Sequence, residues 1–154
     1  MSYEDFKQAI RLAADCEFFT SGSGLSANEI YKAEQILGIE FSPQMVEYYK
    51  KLNYVSLLGS EIFGIEFEYD SAILEGNSLA YTLYERCNYG LPKQWIPIYN
   101  FNDGSLAFLD YSSLNMSNEP SVIRALYNGE RYQKMERVAE DFGSFMLSLI
   151  EENS

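Results

Sequence analysis

Residues 95–110 read WIPIYNFNDGSLAFLD, and this stretch decides the fold. Two runs, Trp95 to Phe101 and Leu106 to Asp110, are rich in the aliphatic and aromatic residues that favour strands. Between them stands Asn-Asp-Gly-Ser at 102–105. Asn, Asp and Gly tolerate the backbone conformations that a tight turn requires. The stretch therefore predicts a β-hairpin.

Two further strands are predicted on either side of this hairpin. Glu61 to Asp70 alternates along its second half, so that Ile65, Phe67 and Tyr69 would point inward, and Glu66, Glu68 and Asp70 outward. Val122 to Tyr127 is the other strand, closed by the turn residues Asn128 and Gly129.

Helical signals surround the strands. Ser26 begins a helix with Glu29 in a capping box and Gly38 just past its end. Ser42 and Pro43 begin another, as N-cap and first helical residue. Amphipathic spacing predicts helices at 3–18, roughly 77–88 and 134–151, the last with an apolar stripe formed by Val138, Phe142, Phe145, Met146 and Leu149. Residues 20–24 are predicted to be a loop.

This order of elements predicts a single α+β domain over residues 1–154. Helices come first, strands cluster in the middle, and a helix closes the chain. We expect a central, mostly antiparallel sheet flanked by the N-terminal helices and a C-terminal helix.

Composition limits the function classes. The chain has 23 Asp and Glu against 11 Lys and Arg, a net charge of −12 and no histidine. The charge argues against nucleic acid or an anionic membrane as partner, and it suits a basic protein, although solubility alone also explains it. The missing histidine removes His-based catalysis and imidazole metal ligands. Carboxylate, Tyr, Lys and Cys chemistry stays possible, but no motif assembles such a site, and we expect no catalytic residue, no metal and no cofactor.

The predicted location is the cytoplasm. Cys16 and Cys87 lack CxxC spacing and are interpreted as unpaired thiols of a reducing compartment. The first residues carry charges where a signal peptide would be apolar, and no apolar run reaches the length of a bilayer span.

Two short motifs resemble ligand-binding loops but are better explained as structural turns. Gly22 to Ala27 matches G-x-G-x-x-A before a helix, but the preceding residues make a poor buried strand, so a flexible loop that ends in the capping box explains it better. Asn100 to Gly104 resembles a calcium loop, but Tyr99 and Phe101 would occupy ligand positions, so it is a hairpin turn.

One acidic, tyrosine-bearing interval remains as a candidate binding site. No basic residue occurs between Lys51 and Arg86. The candidate partner-binding residues in that interval are Glu61, Glu66, Glu68, Asp70, Glu75, Tyr69, Tyr81 and Tyr84. Carboxylates would steer a basic partner and tyrosines would anchor it. The equally weighted alternative is a solvated strand face with core tyrosines.

The chain also resembles the SUKH superfamily of bacterial immunity proteins and fungal cell-wall synthesis regulators, over residues 26–151. The resemblance rests on short motifs in order: Ile30-x-x-Ala33-Glu34-x-x-Leu37-Gly38, Phe41-Ser42-Pro43 with Tyr48-Tyr49 and Leu52-Asn53, Glu61-Ile62-Phe63-Gly64, Ile96-Pro97-Ile98 with Asp103-Gly104 and Leu109-Asp110, and Val138-Ala139-x-x-Phe142-x-x-Phe145. Ser42 and Tyr54 depart from the family pattern, which more often has proline and glycine at those places.

The resemblance implies a protein-binding scaffold without catalysis. Bacterial relatives commonly neutralise cognate toxins of polymorphic toxin systems, often nucleases, so the expected function is that of an antitoxin. A non-catalytic regulatory scaffold of the cell-wall regulator type is the alternative. Glu34 and Asp110 lie in these motifs, and we expect their carboxylates to bond to nearby backbone or side chains. The oligomeric state stays open.

Overall fold

The computed structural model describes residues 2–14, 19–57 and 59–152, and it confirms the α+β class. Within these ranges the helices are α1 (Ser2–Ala14), α2 (Ala27–Leu37), α3 (Pro43–Lys51), α4 (Ser78–Tyr89) and α5 (Phe142–Glu152). The strands are β1 (Phe19–Ser21), β2 (Val55–Leu57), β3 (Ser60–Ile62), β4 (Trp95–Asn100), β5 (Ser105–Leu114), β6 (Pro120–Tyr127) and β7 (Tyr132–Ala139). They form one antiparallel sheet in sequence order.

The predicted hairpin is the centre of this sheet. β4 and β5 pair antiparallel from Trp95 opposite Asp110, and the turn uses positive φ angles at Asn102 (62°) and Gly104 (94°). Ser105 to Leu109 are all buried, so both faces of this part of β5 are covered. Ala107 and Leu109 pack in the cluster that includes residues of α1, α3 and α5, and Leu106 and Phe108 pack with Phe63 and Leu91, beside Tyr81 of α4.

The capping box at α2 is confirmed. Ser26 Oγ accepts from the Glu29 N–H at 3.2 Å, Glu29 Oε1 accepts from the Ser26 N–H at 2.9 Å, and Gly38 ends the helix in the left-handed region. Gly24, with φ +81°, lies where a Cβ would be 2.1 Å from the Lys50 carbonyl oxygen. The glycine before this helix therefore serves a close backbone approach to the end of α3.

The predicted last helix, 134–151, is wrong over residues 134–141. β7 occupies Tyr132–Ala139 as the outer neighbour of β6, and α5 begins at Phe142. The register between β6 and β7 shifts at two places. These shifts interrupt the alternation of side chains along β7, so periodicity in the sequence does not indicate a strand there. Pairing with β6 overrides the helix propensity of this segment.

The predicted strand from Glu61 to Asp70 is also wrong beyond Ile62, where β3 ends. Ile65 is buried and Phe67 packs against the core, as expected, but Tyr69 is 44% exposed. The predicted loop at 20–24 is wrong at its start, because Thr20 and Ser21 belong to β1. Of the predicted helix 3–18, residues 15–18, including Cys16, lie outside the described residues.

Glu34 and Asp110 bond to nearby backbone, as the sequence predicted. Glu34 Oε2 accepts from the Phe41 N–H at 2.8 Å, and Asp110 Oδ1 accepts from the Ser112 N–H at 3.0 Å.

The thiol of Cys87 is free and exposed. Within the described ranges, none of the helices has the length and apolar character that a membrane span requires.

Two buried carboxylates lie between β6, α3 and α5. Glu119 is 2% exposed, and its Oε2 accepts from the Gln44 N–H at 3.0 Å. Asp141 is fully buried, and its Oδ1 accepts from the Ser144 N–H at the start of α5. Burial first, and then the charge of Asp141, raise the pKa of Glu119, which the hydrogen bond from the Gln44 N–H only partly opposes. The ionised form of Glu119 therefore destabilises the fold.

Replacing Glu119 with glutamine should stabilise the chain at neutral pH. A carboxyl whose pKa is raised in the folded state contributes stability below its unfolded pKa, near 4.3, and loses it as pH rises through the folded value. We expect Glu119→Gln to raise the free energy of unfolding by about 1 kcal/mol at pH 7 and to lose this advantage toward pH 4. Urea unfolding across that range measures it, with the exposed Glu140→Gln as control. A variant less stable than wild type at pH 7 would contradict the assignment.

Candidate partner-binding site

The segment between β3 and α4 carries most of the predicted site. We call residues 66–75 the acidic loop. Its carboxylates, Glu66, Glu68, Asp70 and Glu75, are all exposed. Tyr69 is 44% exposed and Ile73 is 68% exposed, so two apolar side chains stand among four negative charges. Apolar anchors with a charged surround are typical of protein interfaces.

Local hydrogen bonds shape the acidic loop. Asp70 Oδ1 accepts from the Ala72 N–H at 2.9 Å, and the Asp70 carbonyl accepts from the Ile73 N–H at 2.9 Å, which makes a tight turn. The Asn100 side chain, at the end of β4, donates to Glu75 Oε1 at 2.7 Å. Asp70 is thus partly engaged in holding the turn, whereas Ile73 at the turn projects into solvent.

Two asparagines hold the chain where it enters the acidic loop. Asn53 Oδ1 accepts from the Ile65 N–H at 2.9 Å, and Asn53 Nδ2 donates to the Ile65 carbonyl at 3.0 Å. Asn77 Oδ1 accepts from the Glu66 N–H at 3.3 Å, and Asn77 Nδ2 donates to the Glu66 carbonyl at 3.0 Å. Both backbone polar groups of two consecutive residues are therefore satisfied by side-chain amides.

The base of the loop is closed by backbone contacts. The Gly64 N–H donates to the Gly76 carbonyl at 3.0 Å, and the Ser78 N–H donates to the Gly64 carbonyl at 2.8 Å. Gly64 lies against Asn53, since a Cβ there would be 2.4 Å from the Asn53 carbonyl oxygen. The two ends of the loop are thus bonded to each other and to the turn after α3.

Three predicted site residues lie outside the acidic loop. Glu61 is exposed on β3 and lies opposite Ser56 of β2. Burial first, and then the Glu61 carboxylate, raise the pKa of Tyr54. Tyr81 is half-buried in the first turns of α4, with its ring 6.5 Å from that of Phe63. Burial, followed by the charges of Glu85 and Glu75, raises the pKa of Tyr81 to about 12. Tyr81 is thus mainly a packing residue at the edge of the loop.

Tyr84 belongs to a separate aromatic row. Its ring is 6.2 Å from that of Tyr89, which lies 5.0 Å from that of Tyr127 on β6. Tyr84 and Tyr89 are 45% and 41% exposed. The structure therefore joins Tyr84 to the end of α4 and the β6–β7 hairpin.

A lysine from another part of the chain lies beside the interval that has no basic residue of its own. Lys32 of α2 places its Nζ 4.6 Å from the centre of the Phe67 ring. This cation–π contact covers the apolar Phe67 between Glu66 and Glu68. The acidic loop is negative overall, but its α2 side is partly compensated.

Sequence reasoning missed three residues that matter here. Ile73 was overlooked because a single apolar residue in a polar segment carries no periodicity. Asn53 and Asn77 were overlooked as partners of the loop because their contacts span 12 and 11 residues of chain, respectively. The only available signal was an asparagine at each end of the segment, which predicts caps and turns in general.

Within the described residues, no three Asp, Glu or Cys side chains come together as a set that could hold a metal ion. The carboxylates of the acidic loop face solvent, where they can meet cationic side chains of a protein.

Comparison with known proteins yields one family. The model of the SMI1 / KNR4 family (SUKH-1) matches residues 24–148. This range includes the acidic loop, both asparagines and the whole sheet from β2 onward. No curated protein matches the chain.

Proposed function

Because the chain belongs to the SMI1 / KNR4 family (SUKH-1), we propose that it is an immunity protein that neutralises a cognate toxin by binding it. Members of this family are generally non-catalytic immunity or regulatory proteins. The proposed partner is a basic protein, and a nuclease fits because its nucleic-acid-binding surface is positive. The complex would be stoichiometric, without cofactor, and formed by one domain in the cytoplasm.

One observation carries the proposal: the acidic loop exposes Tyr69 and Ile73 among four carboxylates on a segment bonded at both ends. The carboxylates supply long-range attraction, which mainly raises the association rate. The two apolar side chains supply contact area that becomes buried in the complex, which mainly slows dissociation.

The partner is identified first. The tagged chain is cross-linked in its native cells, and the protein bound to it is purified and sequenced. A basic toxin domain supports the proposal. A resident cell-wall or signalling protein would instead favour the regulatory alternative, and an acidic partner would contradict the assigned surface.

Removing three charges from the acidic loop should slow association with that purified partner. We expect the triple variant Glu66→Gln, Glu68→Gln, Asp70→Asn to associate roughly 10-fold more slowly at low salt, because steering by charge is lost. Its association rate should also depend less on salt. Salt acts by screening exposed charges, over about 8 Å at physiological ionic strength, and the variant has lost three of those charges. Stopped-flow kinetics over a salt series measure both effects.

A matched control removes the same net charge elsewhere. Glu130, Glu136 and Glu140 are exposed at the β6–β7 turn, on β7 and before α5. Their triple glutamine variant should keep most of the wild-type rate and salt slope. Equal slowing by both variants would mean that net charge, rather than the acidic loop, governs association.

A further inference from the structure

We propose that Asn53 and Asn77 are positioning residues of the partner-binding site, which hold the acidic loop in one conformation ready for binding. The inference rests on the proposed function, and it concerns how the loop is presented rather than which charges it carries. The two residues need not touch the partner. They act through the backbone of Ile65 and Glu66, where the chain enters the loop.

The geometry is that of a strand whose neighbours have been replaced by side chains. In extended backbone, the N–H and C=O of one residue point to one side, and those of the next residue point to the other. Ile65 directs both groups to Asn53, and Glu66 directs both to Asn77. The chain is therefore held from two opposite sides, each time by an amide that both donates and accepts.

Each asparagine is itself anchored in regular structure. Asn53 follows α3 with φ +58°, a conformation that asparagine tolerates better than most residues, and its N–H donates to the Tyr48 carbonyl at 2.8 Å. Asn77 is the N-cap of α4, where its Oδ1 also accepts from the N–H groups of Leu79 and Ala80. The position of the loop is thus tied to the ends of two helices.

Holding the loop matters because ordering a binding segment costs free energy at the moment of binding. A segment that is already in its bound conformation avoids that cost, which raises affinity without any new contact. It also keeps the exposed carboxylates at constant spacing, so that their combined field has a constant shape during encounter.

The test exchanges each amide for a carboxylate. Asn77→Asp keeps the acceptor for the Glu66 N–H and both cap bonds of α4, but it loses the donor and places an oxygen against the Glu66 carbonyl. Asn53→Asp does the same at Ile65. The double variant also adds two negative charges beside the acidic loop. Electrostatic steering alone would make it associate faster with a basic partner, whereas loss of positioning would make it slower.

The first readout is hydrogen–deuterium exchange of the free chain. We expect exchange of the amides at 66–75 to rise at least 10-fold in the double variant, while β5 and β6 keep their protection. The second readout is association with the purified partner, which we expect to slow about 5-fold despite the added charge. Asn88→Asp with Asn128→Asp is the control, because it adds the same charge away from the loop and should not slow association.

The outcomes are distinct. Unchanged exchange in the loop, or association as fast as wild type with a loosened loop, would overturn the positioning role. If the double variant does not fold, the single Asn77→Asp gives the same comparison. Failure of the proposed function is recognised separately, by a partner that is not basic or by wild-type kinetics in the triple amide variant, while the exchange result needs no partner.

Discussion

Replacing Phe142 with alanine should destabilise the chain by about 4 kcal/mol, the typical cost of truncating a fully buried phenylalanine. Phe142 is the first residue of α5 and is completely buried. Its ring lies 4.9 Å from that of Tyr48 on α3 and 6.1 Å from that of Phe6 on α1. Truncation would leave a cavity where three helices meet over the sheet, and the rigid strands beneath cannot collapse into it.

Thermal and urea unfolding measure this effect. For a domain of this size, 4 kcal/mol corresponds to a fall in melting temperature of roughly 8–16 °C. The control is Val138→Ala. Periodicity places Val138 and Phe142 on one helical stripe, but Val138 stands on β7 and is 36% exposed. Its truncation should cost less than about 1 kcal/mol. Similar losses in both variants would contradict the boundary between β7 and α5.

Replacing Gly64 with alanine should cost about 3 kcal/mol, at the upper end for overpacking. The added Cβ would lie 2.4 Å from the Asn53 carbonyl oxygen and 3.2 Å from Asn53 Cγ. Both obstacles belong to the residue that bonds to Ile65, and the carbonyl is backbone that cannot rotate away. The variant should therefore lose stability and also loosen the acidic loop.

Gly76→Ala is the matched control, because Gly76 lies at the other end of the same segment. Its φ is +88°, but nothing lies within 4 Å of the added Cβ. Only the backbone strain of a left-handed residue remains, about 1 kcal/mol. Unfolding curves of the two variants separate crowding from strain. Equal destabilisation would mean that contact with Asn53 does not constrain Gly64.

Local signals predicted the elements whose causes are local. The turn at 102–105, the box formed by Ser26 and Glu29, and the cap at Gly38 each depend on residues within four positions of one another. The order of helices and strands then sufficed for the α+β class, because apolar sheet faces must be covered and this chain brings helices before and after its strands. The motifs of the family resemblance were also readable, since they are mostly these same structural residues.

The candidate site was only half predictable. The acidity of 61–75 is a property of composition, so Glu66, Glu68, Asp70 and Glu75 could be named from the sequence. The backbone structure around these carboxylates could not be predicted. Alternation of polar and apolar residues indicates a strand, but it does not show whether a neighbouring strand exists to pair with it. At Ile65 and Glu66 that neighbour is a pair of asparagine amides, and beyond them the chain turns at Asp70.

The sequence by itself determined the class of fold, both caps of α2, the central hairpin and the negative charge of the segment before α4. Tertiary structure alone decided that 132–139 pairs with β6 as a strand, that Tyr69 and Ile73 face solvent, and that Tyr84 joins the aromatic row with Tyr89 and Tyr127. The physical reason is the range of the interactions. Propensity and capping act over a few residues, whereas strand pairing, the contacts of Asn53 and Asn77, and burial depend on partners that the fold alone brings together.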